Sequence, residues 1–169
     1  MIEHFINSYN IKPADAIVVK KENFGILDHY VIYLGQDNYG EHLFIANYSK
    51  GIQFIKKDEL ASFLNQYVPV RLNRFLGNEV QRIDAIKRAM TRLNEKSYNL
   101  IINNCEHYAN WVQNGLPKSG QVEDIGKALA ISGASFGLVG LASKNKEVAI
   151  VGFLSAALGL LAIELSEQK

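Results

Sequence analysis

The chain has 169 residues, enough for one domain with an appendage, and its formal net charge is only +1. This balance excludes the strongly basic surface on which bulk nucleic-acid binding depends. The chain contains a single cysteine, which excludes an internal disulfide, so the fold depends on a hydrophobic core and a reducing, intracellular location is expected.

The beginning of the chain has the pattern of a small antiparallel sheet. Residues 1–5 carry neither the basic region nor the apolar run of a secretory signal peptide. A turn at residues 11–15 leads into a β-branched strand at residues 16–20. Residues 29–35 and 42–48 predict two more strands, which a turn rich in Asp, Asn and Gly joins into a hairpin.

Further elements extend this sheet and cover it. Residues 51–55 are expected to continue the meander, and residues 58–64 predict a short helix that Asp58 caps. Residues 67–72 predict an edge strand, because Pro69 has no N–H to donate to a ladder. The pattern indicates an α+β domain in which a small antiparallel sheet packs with helices.

The hydrophobic period changes to that of a helix over residues 78–93. Ile83, Ile86, Met90 and Leu93 recur at spacings of three and four, and charged residues lie between them. This spacing predicts an amphipathic helix with these four side chains on its apolar face.

The cysteine lies at the start of another predicted helix. Asn104 is a favourable N-cap residue, and Gly115 followed by Pro117 is a helix stop signal. Cys105 is therefore expected in the first turn, where backbone N–H groups and the helix dipole favour a thiolate and can bind an oxyanion. A lone cysteine is also commonly a small buried hydrophobe, so both interpretations stay open on this segment alone.

The composition becomes apolar after Pro117. Residues 125–143 contain one charge and residues 148–163 contain none. Gly133 and Gly137 form a pair of small residues typical of closely packed helices. We therefore predict a hydrophobic helical hairpin.

The predicted boundary divides a domain of residues 1–120 from the apolar hairpin of residues 121–169. The two apolar segments fall slightly short of the ~20 residues that cross a bilayer. A membrane anchor and a pair of helices buried against the domain are therefore alternative interpretations of the hairpin.

A nucleophilic cysteine needs a nearby base, and the chain has four histidines. His107 follows Cys105 by two residues on the helix, so the two side chains point away from each other. His4 lies in a segment without a clear pattern, which leaves His29 and His42 on the hairpin. The four histidines and the single cysteine are too scattered along the chain for a zinc site.

Strand pairing selects the group that would orient His29. If Gly35 pairs with Glu41, then His29 pairs directly with Asn47, whereas a shift of one residue turns Asn47 to the other face. His42 is expected to lie over ~15 Å from His29 along the strands.

Three blocks of this sequence resemble the lecithin:retinol acyltransferase (LRAT) family. Asn-Cys-Glu-His-Tyr-Ala-Asn at residues 104–110 is similar to the family's Asn-Cys-Glu-His-Phe block. Lys-Pro-Ala-Asp at residues 12–15 and His-Tyr-Val-Ile-Tyr-Leu-Gly at residues 29–35 resemble its Lys-Pro-Gly-Asp turn and His-Trp-x-Ile-Tyr-x-Gly strand. Ala14 replaces the family's glycine, which matters only if the turn needs a positive φ. The resemblance covers about residues 10 to 120.

The resemblance implies a permuted papain-like fold of the NlpC/P60 type and a phospholipid or membrane surface as partner. It implies no metal or other cofactor. Family members form an acyl-thioester from a phospholipid ester and pass the acyl group to water, an amine or an alcohol. Carried onto this sequence, Cys105 is the nucleophile and its N–H an oxyanion donor, and His29 is the general base. Asn47 stands where the family's second histidine is expected and would orient His29.

The resemblance also leaves alternatives. The same three residues would serve an NlpC/P60-type amidase or peptidase. Because Asn47 departs from the family pattern, a non-catalytic membrane-associated scaffold is a third interpretation.

Overall fold

A computed structural model describes residues 2–19, 28–66, 69–96, 99 and 104–166. The chain divides into two compact units, residues 1–117 and residues 118–169.

The described part of the first unit consists of five strands and four helices. The strands are β1 (Ala16–Val19), β2 (His29–Gln36), β3 (His42–Tyr48), β4 (Gly51–Phe54) and β5 (Pro69–Asn73), and the helices are α1 (Ile2–Ser8), α2 (Lys57–Gln66), α3 (Glu79–Thr91) and α4 (Cys105–Asn114). The strands form one antiparallel sheet in the order β4-β3-β2-β1-β5. The predicted α+β class is confirmed, and so is the edge position of the strand that contains Pro69.

The register between β2 and β3 differs from the prediction. Ile32 pairs with Ile45, and after an irregularity in the ladder Gly35 pairs with Leu43. The predicted pairing of Gly35 with Glu41 is therefore wrong. Gly35 has a φ of 106°, a conformation that glycine adopts without strain, and this bulge shifts the register between the two ends of the hairpin.

Each face of the sheet has its own hydrophobic core. Tyr30 and Ile32 of β2 belong to the first core, which α3 and α4 cover. Val31 and Tyr33 belong to the second core, which lies on the other face and which α1 and α2 cover. This division follows from the alternation of side chains along a strand.

Helix α3 is confirmed, but its buried face was partly mispredicted. Ile83 is 54% exposed and Met90 is 40% exposed, while the other two predicted side chains pack against the first core. Ala85 and Ala89 are fully buried in their place. Small side chains let the α3 backbone approach its neighbours closely, and apolar periodicity alone does not distinguish this arrangement.

The second unit is a helical hairpin of α5 (Gly120–Ala142) and α6 (Lys146–Ser166), as predicted. The N–H of Ser119 donates to the carbonyl of Ser166 at 3.2 Å and joins the two ends of the hairpin. In the part of the chain that the structure describes, these two helices are long and apolar enough to cross a membrane.

Glycines form the interface between α5 and α6. A Cβ atom added at Gly133, Gly152 or Gly159 would collide with backbone atoms of the opposite helix. The large apolar side chains of the hairpin point outward instead. The exposed ones are Leu129, Ile131, Phe136, Leu138, Val139, Leu141, Val148, Ile150, Val151, Phe153, Leu154, Leu158, Leu160 and Leu161.

Candidate active site

The cysteine is the first residue of α4, as the sequence predicts. The side chain of Asn104 caps the helix by accepting hydrogen bonds from the N–H groups of Glu106 at 2.9 Å and His107 at 3.0 Å. The helix ends at Gly115, whose φ of 75° is left-handed. The cap uses the N–H groups of the second and third residues, and the N–H of Cys105 is directed toward its own sulfur.

The sulfur of Cys105 lies against the first residues of β2. Its Sγ is 3.5 Å from the carbonyl oxygen of Asp28, and the N–H of Tyr30 is directed toward it. These two backbone groups lie on either side of His29 in the chain. The fold therefore brings Cys105 to the strand segment that carries the predicted base.

Burial dominates the electrostatics of this thiol. Cys105 is only 5% exposed, and desolvation is the main cause that raises its pKa to about 11. The N–H groups directed at the sulfur favour the thiolate, while the carboxylate of Glu106 opposes it. The helix N–H groups favour the thiolate in the predicted direction, but desolvation outweighs them in this closed arrangement.

This raised pKa predicts a low reactivity toward alkylating agents. Because the chain has one cysteine, iodoacetamide labelling reports on Cys105 alone. We expect the labelling rate to rise with a midpoint near pH 11, well above the ~8.5 of a free cysteine, since only the thiolate reacts. Circular dichroism at each pH identifies the range in which the protein stays folded. A midpoint near 8.5 in the folded protein would contradict the burial of the thiol.

His29 packs against Tyr48. The centroids of the two rings are 4.9 Å apart, and their planes are inclined by 41°. Continuing the register of Ile32 with Ile45 toward the start of β2 places His29 opposite Tyr48 rather than Asn47. Tyr48 also packs against the second core, on the face that Val31 and Tyr33 occupy.

Asn47 lies on the opposite face and contacts the cysteine helix. It pairs with Ile52, a member of the first core, and its Nδ2 donates to the carbonyl of Asn104 at 3.4 Å. Asn47 is 1% exposed. The role predicted for Asn47 depended on a direct pairing with His29, and the observed register does not provide that pairing.

The other histidines take separate positions. The Nδ1 of His42 is 2.8 Å from the hydroxyl of Tyr33, near the turn of the hairpin. His107 is buried at 1% exposure in α4. Within the described ranges, no three His, Cys, Asp or Glu side chains form a group that holds a metal ion.

A family model described as lecithin retinol acyltransferase matches residues 9–118, more than half of the chain. The chain belongs to the lecithin retinol acyltransferase family. Among curated proteins, the mouse (Mus musculus) protein named phospholipase A and acyltransferase 3 is 29% identical in an alignment of length 164 that covers 80% of this chain and 93% of that protein. The resemblance that the sequence blocks indicated is confirmed.

The Lys-Pro-Ala-Asp turn of this LRAT-family chain does need a positive φ. Ala14 has a φ of 70°, where a residue with a Cβ is strained, and it is fully buried. Asp15, which follows it, is 2% exposed and accepts hydrogen bonds from the N–H groups of Lys12 at 3.1 Å and Phe75 at 3.0 Å. The turn therefore joins the start of β1 to the segment after β5.

Two arginines complete the surroundings of Asp15. Arg74 contacts its Oδ2 at 2.9 Å, and Arg82 contacts its Oδ1 at 3.4 Å. Arg82 is itself buried on the face of α3 that turns toward the sheet, and it also donates to the carbonyl of Pro13. This cluster stabilises the turn on which β1 depends.

Sequence reasoning missed a polar network beside the cysteine in this LRAT-family chain. The hydroxyl of Tyr30 donates to Oε1 of buried Glu106 at 2.9 Å, and it accepts a hydrogen bond from Arg71 at 2.5 Å. Burial and the Glu106 carboxylate raise the pKa of Tyr30. The network ties β2 and β5 to the first turn of α4, and no local sequence signal links these distant positions.

Tyr48 was missed as well. Burial raises its pKa, and the carboxylate of Glu59 raises it further, with a smaller contribution from the neighbouring Cys105. Tyr48 is thus close to the thiol in addition to contacting His29. Tyr48 follows Asn47 directly in the sequence, so the correct register between β2 and β3 would have identified it as the neighbour of His29.

Proposed function

We propose that this chain is a thiol-dependent phospholipase A and acyltransferase that acts on glycerophospholipid esters. The observation that carries the proposal is the contact of the Cys105 sulfur with the backbone on both sides of His29, in a chain of the LRAT family. The mouse relative, which is named a phospholipase A and acyltransferase, supports the same substrate class.

The reaction starts from the neutral thiol, since burial keeps Cys105 protonated. His29 accepts the thiol proton while Sγ attacks the ester carbonyl carbon, so no stable thiolate is required. The N–H of Cys105 donates to the developing oxyanion. As the tetrahedral intermediate collapses, His29 returns its proton to the departing oxygen of the lysophospholipid, and an acyl-thioester remains on Cys105.

The second half repeats these proton transfers with an acceptor. Water, an amine or an alcohol gives a proton to His29 and attacks the thioester carbonyl. His29 then protonates the departing sulfur, which regenerates the thiol of Cys105. The same two residues therefore account for hydrolysis and for acyl transfer.

Two neighbours position the reacting groups in this proposal. Tyr48 holds the ring of His29 by packing against it at a tilted angle. Asn47, which we predicted as the orienter, acts through its hydrogen bond to Asn104, the cap residue that sets the direction of the sulfur. Asn47 thus belongs to the site through the helix of the nucleophile.

The hairpin is proposed to hold this enzyme at an intracellular membrane. It buries glycines at its helix–helix interface and presents its large aliphatic and aromatic side chains to the surroundings. Such a distribution is stable where the surroundings are lipid rather than water, and small interfacial residues are typical of helices packed in bilayers. Only 22% and 17% of the apolar stretches of α5 and α6 are buried.

Intact mass spectrometry with phosphatidylcholine vesicles tests the proposed chemistry. We expect a mass increase equal to one acyl group, which hydroxylamine removes, together with release of lysophospholipid. The Cys105→Ala variant is the control and should show neither. An adduct that survives this substitution would contradict the proposal. Absence of any adduct and any lysophospholipid with the unsubstituted protein would contradict it too, and would favour a membrane-associated scaffold.

A further inference from the structure

Arg71 lies on the face of the sheet that carries the cysteine helix. Arg71 of β5 pairs with Val18 of β1, and Val18 pairs with Tyr30 of β2. Paired residues point to the same face, and Val18 and Tyr30 both belong to the core that contains Cys105. The guanidinium of Arg71 reaches across this row to the hydroxyl of Tyr30.

The guanidinium of Arg71 contacts Tyr30, and the Arg71 side chain is also exposed to solvent. Its guanidinium carbon lies 5.8 Å from the centre of the Tyr30 ring, and its NH2 nitrogen donates to the Tyr30 hydroxyl. Glu106 fixes that hydroxyl in turn. Arg71 is solvent-exposed, and among the ion pairs of the described residues none includes it.

The neighbouring arginines are used differently. Arg74 and Arg82 both contact the carboxylate of Asp15, so each has an acidic partner within its own unit. Arg71 instead presents a cation beside a tyrosine whose own backbone N–H faces the sulfur of Cys105. A substrate that places its ester at the sulfur would therefore place the adjoining part of the molecule near Arg71.

We propose that Arg71 binds the phosphate group of the glycerophospholipid substrate. This inference rests on the proposed function and names a headgroup contact for it. In a glycerophospholipid only a few covalent bonds separate the ester carbonyl from the phosphodiester, so one molecule can occupy both positions. A guanidinium fits two phosphate oxygens at once, and the ring of Tyr30 orients its plane.

Comparing two substrates separates this role from a structural one. The first is phosphatidylcholine in mixed micelles, and the second is a p-nitrophenyl fatty-acid ester, which has a scissile ester and no phosphate. For Arg71→Gln we expect kcat/KM for phosphatidylcholine to fall about 10- to 100-fold, mainly through KM, as the loss of a hydrogen bond to a charged group implies. We expect kcat/KM for the p-nitrophenyl ester to stay within about twofold.

Two further variants serve as comparisons for Arg71→Gln. Arg71→Lys keeps the charge without the two-pronged geometry and should fall between the unsubstituted protein and Arg71→Gln. Lys87→Gln removes an exposed cation on α3 and should change neither substrate. An equal loss on both substrates would assign Arg71 to the support of Tyr30 and Glu106 and overturn the proposal. A change on neither substrate would overturn it also.

A competition arm identifies the source of the phosphate. Glycerophosphocholine should inhibit hydrolysis of the p-nitrophenyl ester by the unsubstituted protein more strongly than inorganic phosphate does, and Arg71→Gln should abolish that inhibition. Stronger inhibition by inorganic phosphate would indicate a free-phosphate site and overturn the assignment to lipid. If the protein cleaves neither ester, the proposed function itself fails, whereas cleavage without any effect of Arg71 defeats only this inference.

Discussion

His29→Ala is expected to lower kcat for phosphatidylcholine hydrolysis by about 10²- to 10⁴-fold. The thiol of Cys105 has a raised pKa, so almost no thiolate exists near neutral pH without a base to accept its proton during attack. Substrate binding does not involve the imidazole in our mechanism, and KM should change little. Steady-state rates of lysophospholipid release give both parameters.

His42→Ala is the matched control for this substitution. His42 lies on the same hairpin, but its ring contacts Tyr33 near the turn. We expect its activity to remain within about threefold of the unsubstituted protein. If His29→Ala kept kcat within tenfold, or if His42→Ala lost as much activity, the assignment of His29 as the base would be untenable.

Asp15→Ala is expected to destabilise the first unit by about 3–5 kcal/mol. The carboxylate is 2% exposed and contacts Arg74 and Arg82 as well as two backbone N–H groups. Its removal leaves the buried guanidinium of Arg82 without this counter-charge and leaves backbone donors unsatisfied. Urea denaturation, followed by the fluorescence of the single tryptophan, measures the change.

Asp84→Ala provides the comparison on the surface. Asp84 also contacts a cation, Lys87, at 3.4 Å, but the two side chains are 54% and 72% exposed. Such pairs contribute about 0–1 kcal/mol, so this variant should unfold close to the unsubstituted protein. Equal effects of the two substitutions would show that burial of Asp15 is not what makes its contacts stabilising.

Local signals predicted the segment around the cysteine accurately. The cap by Asn104 and the stop at Gly115 depend on a few adjacent residues, and both are present in the structure. The hairpin of α5 and α6 was equally evident, because long apolar runs and paired glycines need no knowledge of the rest of the fold. Properties set by neighbours along the chain were thus readable from the sequence.

Properties set by distant contacts were not readable. The observed register places His29 opposite Tyr48, one residue from the Asn47 that the sequence predicted, and the bulge at Gly35 changes this register between the two ends of the hairpin. The pKa of Cys105 depends on how deeply the sulfur is buried, and a cap motif does not report that depth. The contact of Arg71 with Tyr30 likewise requires the order of the strands, which places β1 between them.

The hydrogen bond between Ser119 and Ser166 has a topological consequence. Helices of 23 and 21 residues are roughly 32–35 Å long, close to the ~30 Å hydrocarbon thickness of a bilayer. A hairpin of that length that crosses the bilayer enters and leaves through the same leaflet. In such a hairpin Ser119 and Ser166 face one compartment, and the lysine-bearing turn at residues 143–145 faces the other.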